Sequence, residues 1–149
     1  MKKNFSFLIL FFVLIFSYSQ KAYAQANPDW KLLFLDIAGH TTIKGVEVYS
    51  QVNTCKDEDV VFLKFINHNS YPVTVKWLDA VHTTDQKWIK KDQEADNKSL
   101  TLDANAEIKG DCSTTSYSEC NVKLKNFIDK ITNYNEYAIY HFEVLPVKK

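Results

Sequence analysis

Four histidines, three cysteines and two short acidic clusters are the side chains through which this chain could do chemistry. His40, His68, His82 and His141 lack the His-x-x-x-His spacing, and the cysteines lack the Cys-x-x-Cys spacing, that place two metal ligands on one element. A metal site would therefore have to be assembled by folding, and no metal ligand is assigned. His68 sits among turn residues and His141 in a closing strand, positions that solvent exposure explains. His82 and Asp85 pair a base with a carboxylate, but three residues along an extended chain send them to opposite faces, so a turn is the plainer account. Asp57-Glu58-Asp59 and the trio Asp92, Glu94 and Asp96 contain the paired carboxylates that glycoside hydrolysis uses, although acidic clusters in loops are ordinarily solvated. There is no Gly-x-Ser-x-Gly elbow, and a thiol nucleophile outside the cell would compete with oxidation. No catalytic residue is assigned.

The cysteines Cys55, Cys112 and Cys120 allow three pairings with one thiol left over. Cys112 with Cys120 is the preferred disulfide, because it closes a short Ser/Thr-rich stretch and local closure orders little chain. Cys55 is then free, or is an alternative partner that would tie distant strands together. A free cysteine offers a route to a disulfide-linked dimer; buried, it is inert.

These residues belong to a chain that begins like an exported protein. Lys2 and Lys3 precede an apolar run from Phe5 to Phe16, and Ala22-Tyr23-Ala24 supplies a small-x-small cleavage pattern, with a second after Ala26. Residues 1–24 read as a signal peptide and residues 25–149 as one domain, secreted or periplasmic, with no membrane span after cleavage. No cysteine stands near the cut to accept a lipid. Cleavage would take Lys2, Lys3 and Lys21 from eighteen lysines and no acid from eighteen, leaving a net charge of −3. That charge, with no arginine in the chain, argues against nucleic-acid binding and bidentate phosphate recognition. Three glycines, Gly39, Gly45 and Gly110, cannot build a glycine-rich phosphate cradle, and no cofactor is expected.

After Asn27-Pro28 the chain alternates short runs rich in β-branched and aromatic residues with polar turns, which predicts an all-β fold. Strands are expected at Trp30–Ile37, Val46–Ser50, Val60–Ile66, Val73–Trp77 with Gln86–Lys90 extending or following it, Ser99–Asp103 and Tyr137–Leu145. Val61, Leu63 and Phe65 share one face of a central strand, and Asn67-His68-Asn69-Ser70-Tyr71-Pro72 is expected to turn it into a hairpin with Val73, Val75 and Trp77. In the last strand Ala138, Tyr140, Phe142 and Val144 are expected on one face. Residues 121–131 fit two patterns: Val122 and Leu124 alternate as a strand, whereas Leu124, Phe127, Ile128 and Ile131 fit a short helix.

Val61-Phe62-Leu63-Lys64-Phe65-Ile66-Asn67, Val73-Thr74-Val75-Lys76-Trp77 and Leu100-Thr101-Leu102-Asp103-Ala104-Asn105 resemble strands of immunoglobulin-like sandwich modules in secreted bacterial proteins. The resemblance covers about the middle half of the chain that follows the expected leader. It departs from antibody domains, which carry Tyr-x-Cys near the end, since Tyr117 precedes Cys120 by three. It implies a single antiparallel β-sandwich and a tendency towards binding rather than a particular ligand. Trp88, flanked by Lys87 and Lys90, and the pair Tyr134 and Tyr137 near Asn133 and Asn135 are the candidate recognition surface, for a protein or glycan partner. The expected function is a non-enzymatic binding or interaction module; the alternatives are a small exported enzyme, an enzyme inhibitor or a carrier of a hydrophobic ligand.

Overall fold

In the computed structural model, which describes residues 29–113 and 117–147, the β-branched and aromatic runs form two antiparallel sheets, and the helical turns are single 3-10 turns. The leader expected at residues 1–24 lies outside the described residues. A two-residue turn joins β3 (Val46–Cys55) to β4 (Glu58–Asn67), whose register runs from Val46 opposite Asn67 to Cys55 opposite Glu58. Only Lys56 and Asp57 lie between them, both at positive φ (49° and 67°), the geometry whose twist matches a two-residue hairpin. Short β1 (Lys31–Leu32) and β2 (Thr42–Ile43) pair with the far side of β3, while β8 (Glu107–Lys109) and β9 (Asn121–Lys123) pair with β4.

The second sheet is built on β5 (Val73–Thr83). The long strand β10 (Tyr134–Pro146) pairs along one side, and β6 (Trp88–Lys90) and β7 (Lys98–Leu102) share the other. The hairpin expected between the third and fourth strands is thus not formed: residues 68–72 carry the chain from one sheet to the other. Asn67 holds that corner. Its buried amide nitrogen donates to the carbonyls of Tyr71 (3.0 Å) and Asp103 (2.8 Å), and its oxygen accepts from the Asn69 backbone (3.0 Å). A side chain satisfied by three backbone groups fixes the exit direction, which turn composition alone leaves open.

Val48, Val61, Leu63 and Phe65 of the first sheet meet Val75, Trp77 and Val81 of the second in one core, with the Phe65 and Trp77 rings 4.8 Å apart. In β10 the expected face is broken. His141 has φ 51° and the register with β5 shifts between Tyr140 and Glu143, so Tyr137 and Ile139 face the core before the bulge and Phe142 and Val144 after it. One extra residue reverses side-chain parity, leaving Ala138 and Tyr140 on the outer face.

The stretch 121–131 satisfies both expectations in part. Three residues pair as β9, then Leu124–Asn126 forms one 3-10 turn that buries Leu124 and Ile128 while Ile131 stays exposed.

The disulfide joins Cys55 to Cys112, not Cys112 to Cys120. Pairing of β8 and β9 beside β4 brings the connection after β8 to the tip of the β3–β4 hairpin, so Cys112 meets a partner 57 residues away. Cys120 is a buried free thiol among core residues. Burial pushes this thiol up to about 12, outweighing the opposite pull of Lys98.

Candidate functional site

The strand expected at Trp30–Ile37 pairs with β3 at β1, continues without regular pairing to Leu35, and turns at Asp36–Gly39. Leu33 donates to the Val48 carbonyl (2.9 Å) and Leu35 to that of His40 (2.7 Å), and both side chains enter the core. The intervening Phe34 points out and is 66% exposed, and Ile37 beyond it is exposed as well. Asp36 fixes this projection: one carboxylate oxygen accepts from the backbone of Ala38 and His40 (3.0 Å each), and the other meets the His40 ring nitrogen at 2.6 Å. Those bonds, the His40 side chain's foremost, hold the Asp36 carboxyl below its ordinary value.

Across from this segment runs β10, at the end of its sheet. Among the described residues no backbone hydrogen bond joins residues 31–37 to β10; the link is an exposed ion pair, Lys31 to Glu136 at 3.3 Å. Between them lies a groove of about 750 Å³, walled by Leu32, Phe34 and Ile37, with Ala138 and Tyr140 on the β10 side and Trp88 and Lys90 at its far margin. Trp88 is 46% exposed and stacks on His82, ring centres 4.6 Å apart, in a cross-strand row Glu136–His82–Trp88. The next row is Ala138–Ala80–Lys90, and Lys90 extends across it until its ammonium lies 5.5 Å from the Tyr140 ring.

Of the aromatics expected to recognise a partner, Trp88 lines this groove as an exposed ring. Tyr137 does not present a ring to solvent: it is 3% exposed, and its hydroxyl donates to Asp79 at 2.6 Å. Tyr134 is half-buried, its hydroxyl pushed by burial up to about 12. Both therefore serve the interior more than a surface patch. Phe34 and Ile37 are contributors that the sequence reading misses. The signal for them is the run Leu32-Leu33-Phe34-Leu35, apolar on both faces of what proves to be an edge segment, where one face must meet solvent.

A second, polar cleft of about 530 Å³ opens beside Asp79 and Lys98. Asp79 is buried and fully engaged: Trp77 and Tyr137 donate to one oxygen, and the Lys98 ammonium lies 2.7 Å from the other. This arrangement anchors β7 and β10 to β5 and gives both carboxylate oxygens a structural partner.

Two histidines meet a carboxylate within hydrogen-bond reach: His40 with Asp36, and His68 with Glu47 at 3.2 Å, where Tyr49 also donates to Glu47. His82 lies 3.7 Å from Glu136 and bonds Asn135 at 2.9 Å. Among the described residues no hydroxyl or thiol is hydrogen-bonded to any of these rings, and no group of three or more metal-ligating side chains converges. The acidic clusters are engaged elsewhere: Glu58 is held by Lys123 and Lys125, and Asp96 accepts from the Gln93 backbone. Asp85 pairs with Lys87 rather than His82. Comparison with protein-family models, curated proteins and solved structures gave no match to this chain.

Proposed function

We propose that the chain is an exported, immunoglobulin-like β-sandwich module that binds a partner without chemical turnover. The observation that carries this reading is the apolar groove between Phe34 and β10, opening beside Trp88 on a fold whose interior is filled. A disulfide suits an oxidising compartment, in keeping with the leader at residues 1–24. Burial of Cys120 supports a monomer over a dimer linked through that thiol. An interior occupied by Trp77, Phe65 and Leu63 speaks against a carrier holding its ligand inside the sandwich. An inhibitor built on a loop stapled by Cys112 and Cys120 loses its staple, because Cys112 is bonded to Cys55.

The enzyme reading keeps two histidine–carboxylate contacts, His68 with Glu47 and His40 with Asp36, of which the second lies next to the groove. Nuclear magnetic resonance of the purified protein against panels of peptides and glycans separates the readings. Shifts centred on Phe34, Trp88 and Ala138, lost in Phe34→Ala, are expected; turnover of a substrate that His40→Gln abolishes would replace binding with catalysis.

A further inference from the structure

The outer edge of β10 is a row of backbone groups facing a groove. Residues 136–140 pair regularly with β5, opposite residues 78–82, between a register shift at Tyr134/Glu136 and the bulge at His141. A five-residue straight segment spans about 17 Å at the usual rise. In this segment alternate N–H and C=O groups point away from β5; the Tyr137 N–H is taken by the Tyr134 hydroxyl, and no backbone group of the facing residues 31–37 meets the others. Exposed strand edges are ready templates for another strand.

We propose that this groove takes a single extended segment of a partner polypeptide, which adds to β10 as a further strand; the inference rests on the binding-module reading and specifies its ligand. Three features select this occupant. The first is the facing wall. Residues 33–37 wall the groove opposite β10, so β10 of a second copy would bring its own flanking 33–37 segment against that wall, whereas a lone extended segment carries none.

The second feature is the alternation an entering strand would meet. Its inward side chains would reach the mouth of the core near Leu35 and Phe142, and its outward side chains would lie over Ala138. Apolar residues at every second position satisfy the inward contacts.

The third is charge. Lys31 is paired with Glu136, and Asp36 with His40, but Lys90 has no ion-pair partner among the described residues and its ammonium already leans towards β10 over Tyr140. An acidic residue at an outward position of the entering strand complements it. The ligand is thus an extended segment of about five residues, apolar at alternate positions with an intervening Asp or Glu, recognised through its main chain.

The test appends Val-Thr-Val-Glu-Val-Thr to the C-terminus of the full chain through a flexible Gly/Ser linker, so that the strand can fold back antiparallel to β10 at millimolar effective concentration. Hydrogen exchange of the amides of residues 136–140 is compared with that of the same fusion carrying Pro at the central Val, which lacks the donor and resists strand geometry. Slowing of about tenfold or more at alternate residues of 136–140, absent with Pro and weakened by Glu→Lys in the strand, is expected; Lys90→Glu should restore the Lys-bearing strand. Equal exchange in the two fusions would overturn strand addition. If a glycan or apolar small molecule nevertheless shifts Phe34 and Trp88 in the untethered protein, the binding module stands and its ligand is not a strand.

Discussion

Removing the Cys55–Cys112 disulfide should cost this fold far more than removing Cys120, and the size of the difference follows from the loop each cysteine closes. In the chain-entropy treatment a cross-link restricts the unfolded chain by about 2.1 + 1.5R ln n cal/mol/K. With 57 residues between the partners, this gives about 4 kcal/mol at 25 °C; a Cys112–Cys120 bridge would close a far shorter loop and give roughly 2.5 kcal/mol. The Cys55→Ala/Cys112→Ala double variant should therefore lose about 4 kcal/mol, near 15 °C in Tm for a domain of this size. Cys120→Ala removes one buried sulfur from the core and should lose about 1–2 kcal/mol, the scale of a small cavity. The assay is urea unfolding of the three proteins followed by tryptophan fluorescence, with peptide mapping under non-reducing conditions. A Cys120→Ala variant that loses its disulfide, or is destabilised more than the double variant, would refute both the pairing and the magnitude argument.

At pH 8 iodoacetamide should leave Cys120 unmodified in the native protein and label it once urea unfolds the chain; rapid native labelling would contradict its burial. Burial raises Cys120 from 9.0 and Tyr134 from 10.0, each to about 12, so folding favours their neutral forms. That contribution is complete below about pH 9 and lost as pH rises through 12, so the unfolding midpoint should fall across this window, and less steeply in Cys120→Ala. Lys98→Met strips the charged partner from buried Asp79 and should cost about 2–3 kcal/mol, a figure reduced because Lys98 is partly exposed; adding Asp79→Asn should recover part of the loss, as a coupled pair requires. In Gly110→Ala the new methyl would stand 2.2 Å from the Asn121 side-chain oxygen and 2.5 Å from the Cys120 carbonyl, so β8 and β9 must shift apart; a loss of about 3 kcal/mol is expected by thermal denaturation.

The all-β class and most strands of the core were legible in the sequence, because β-branched and aromatic residues in alternating runs have few other ways to bury one face. Val61, Leu63, Phe65, Val75 and Trp77 carry that pattern and all lie in the core. Trp88 was legible as a candidate surface residue because charged neighbours kept it from the interior.

What the tertiary structure decided were relations between strands. Alternation says which side chains share a face, not which strand lies alongside, so the run after Asn67 reads as a hairpin although it crosses to the other sheet. The bulge at His141 adds one residue to β10 without a glycine or proline to announce it, and parity beyond it reverses. Disulfide choice follows the same logic: sequence distance favours Cys120, but the placing of β8 and β9 beside β4 brings Cys112 to Cys55. The groove has the most distributed origin. Phe34 and Ile37, the edge of β10 and Lys90 come from three separated segments, and their proximity is a property of how the two sheets stack. Local composition determines the strands, because propensity and burial act residue by residue; pairing and stacking are long-range choices, and they set both the disulfide and the groove.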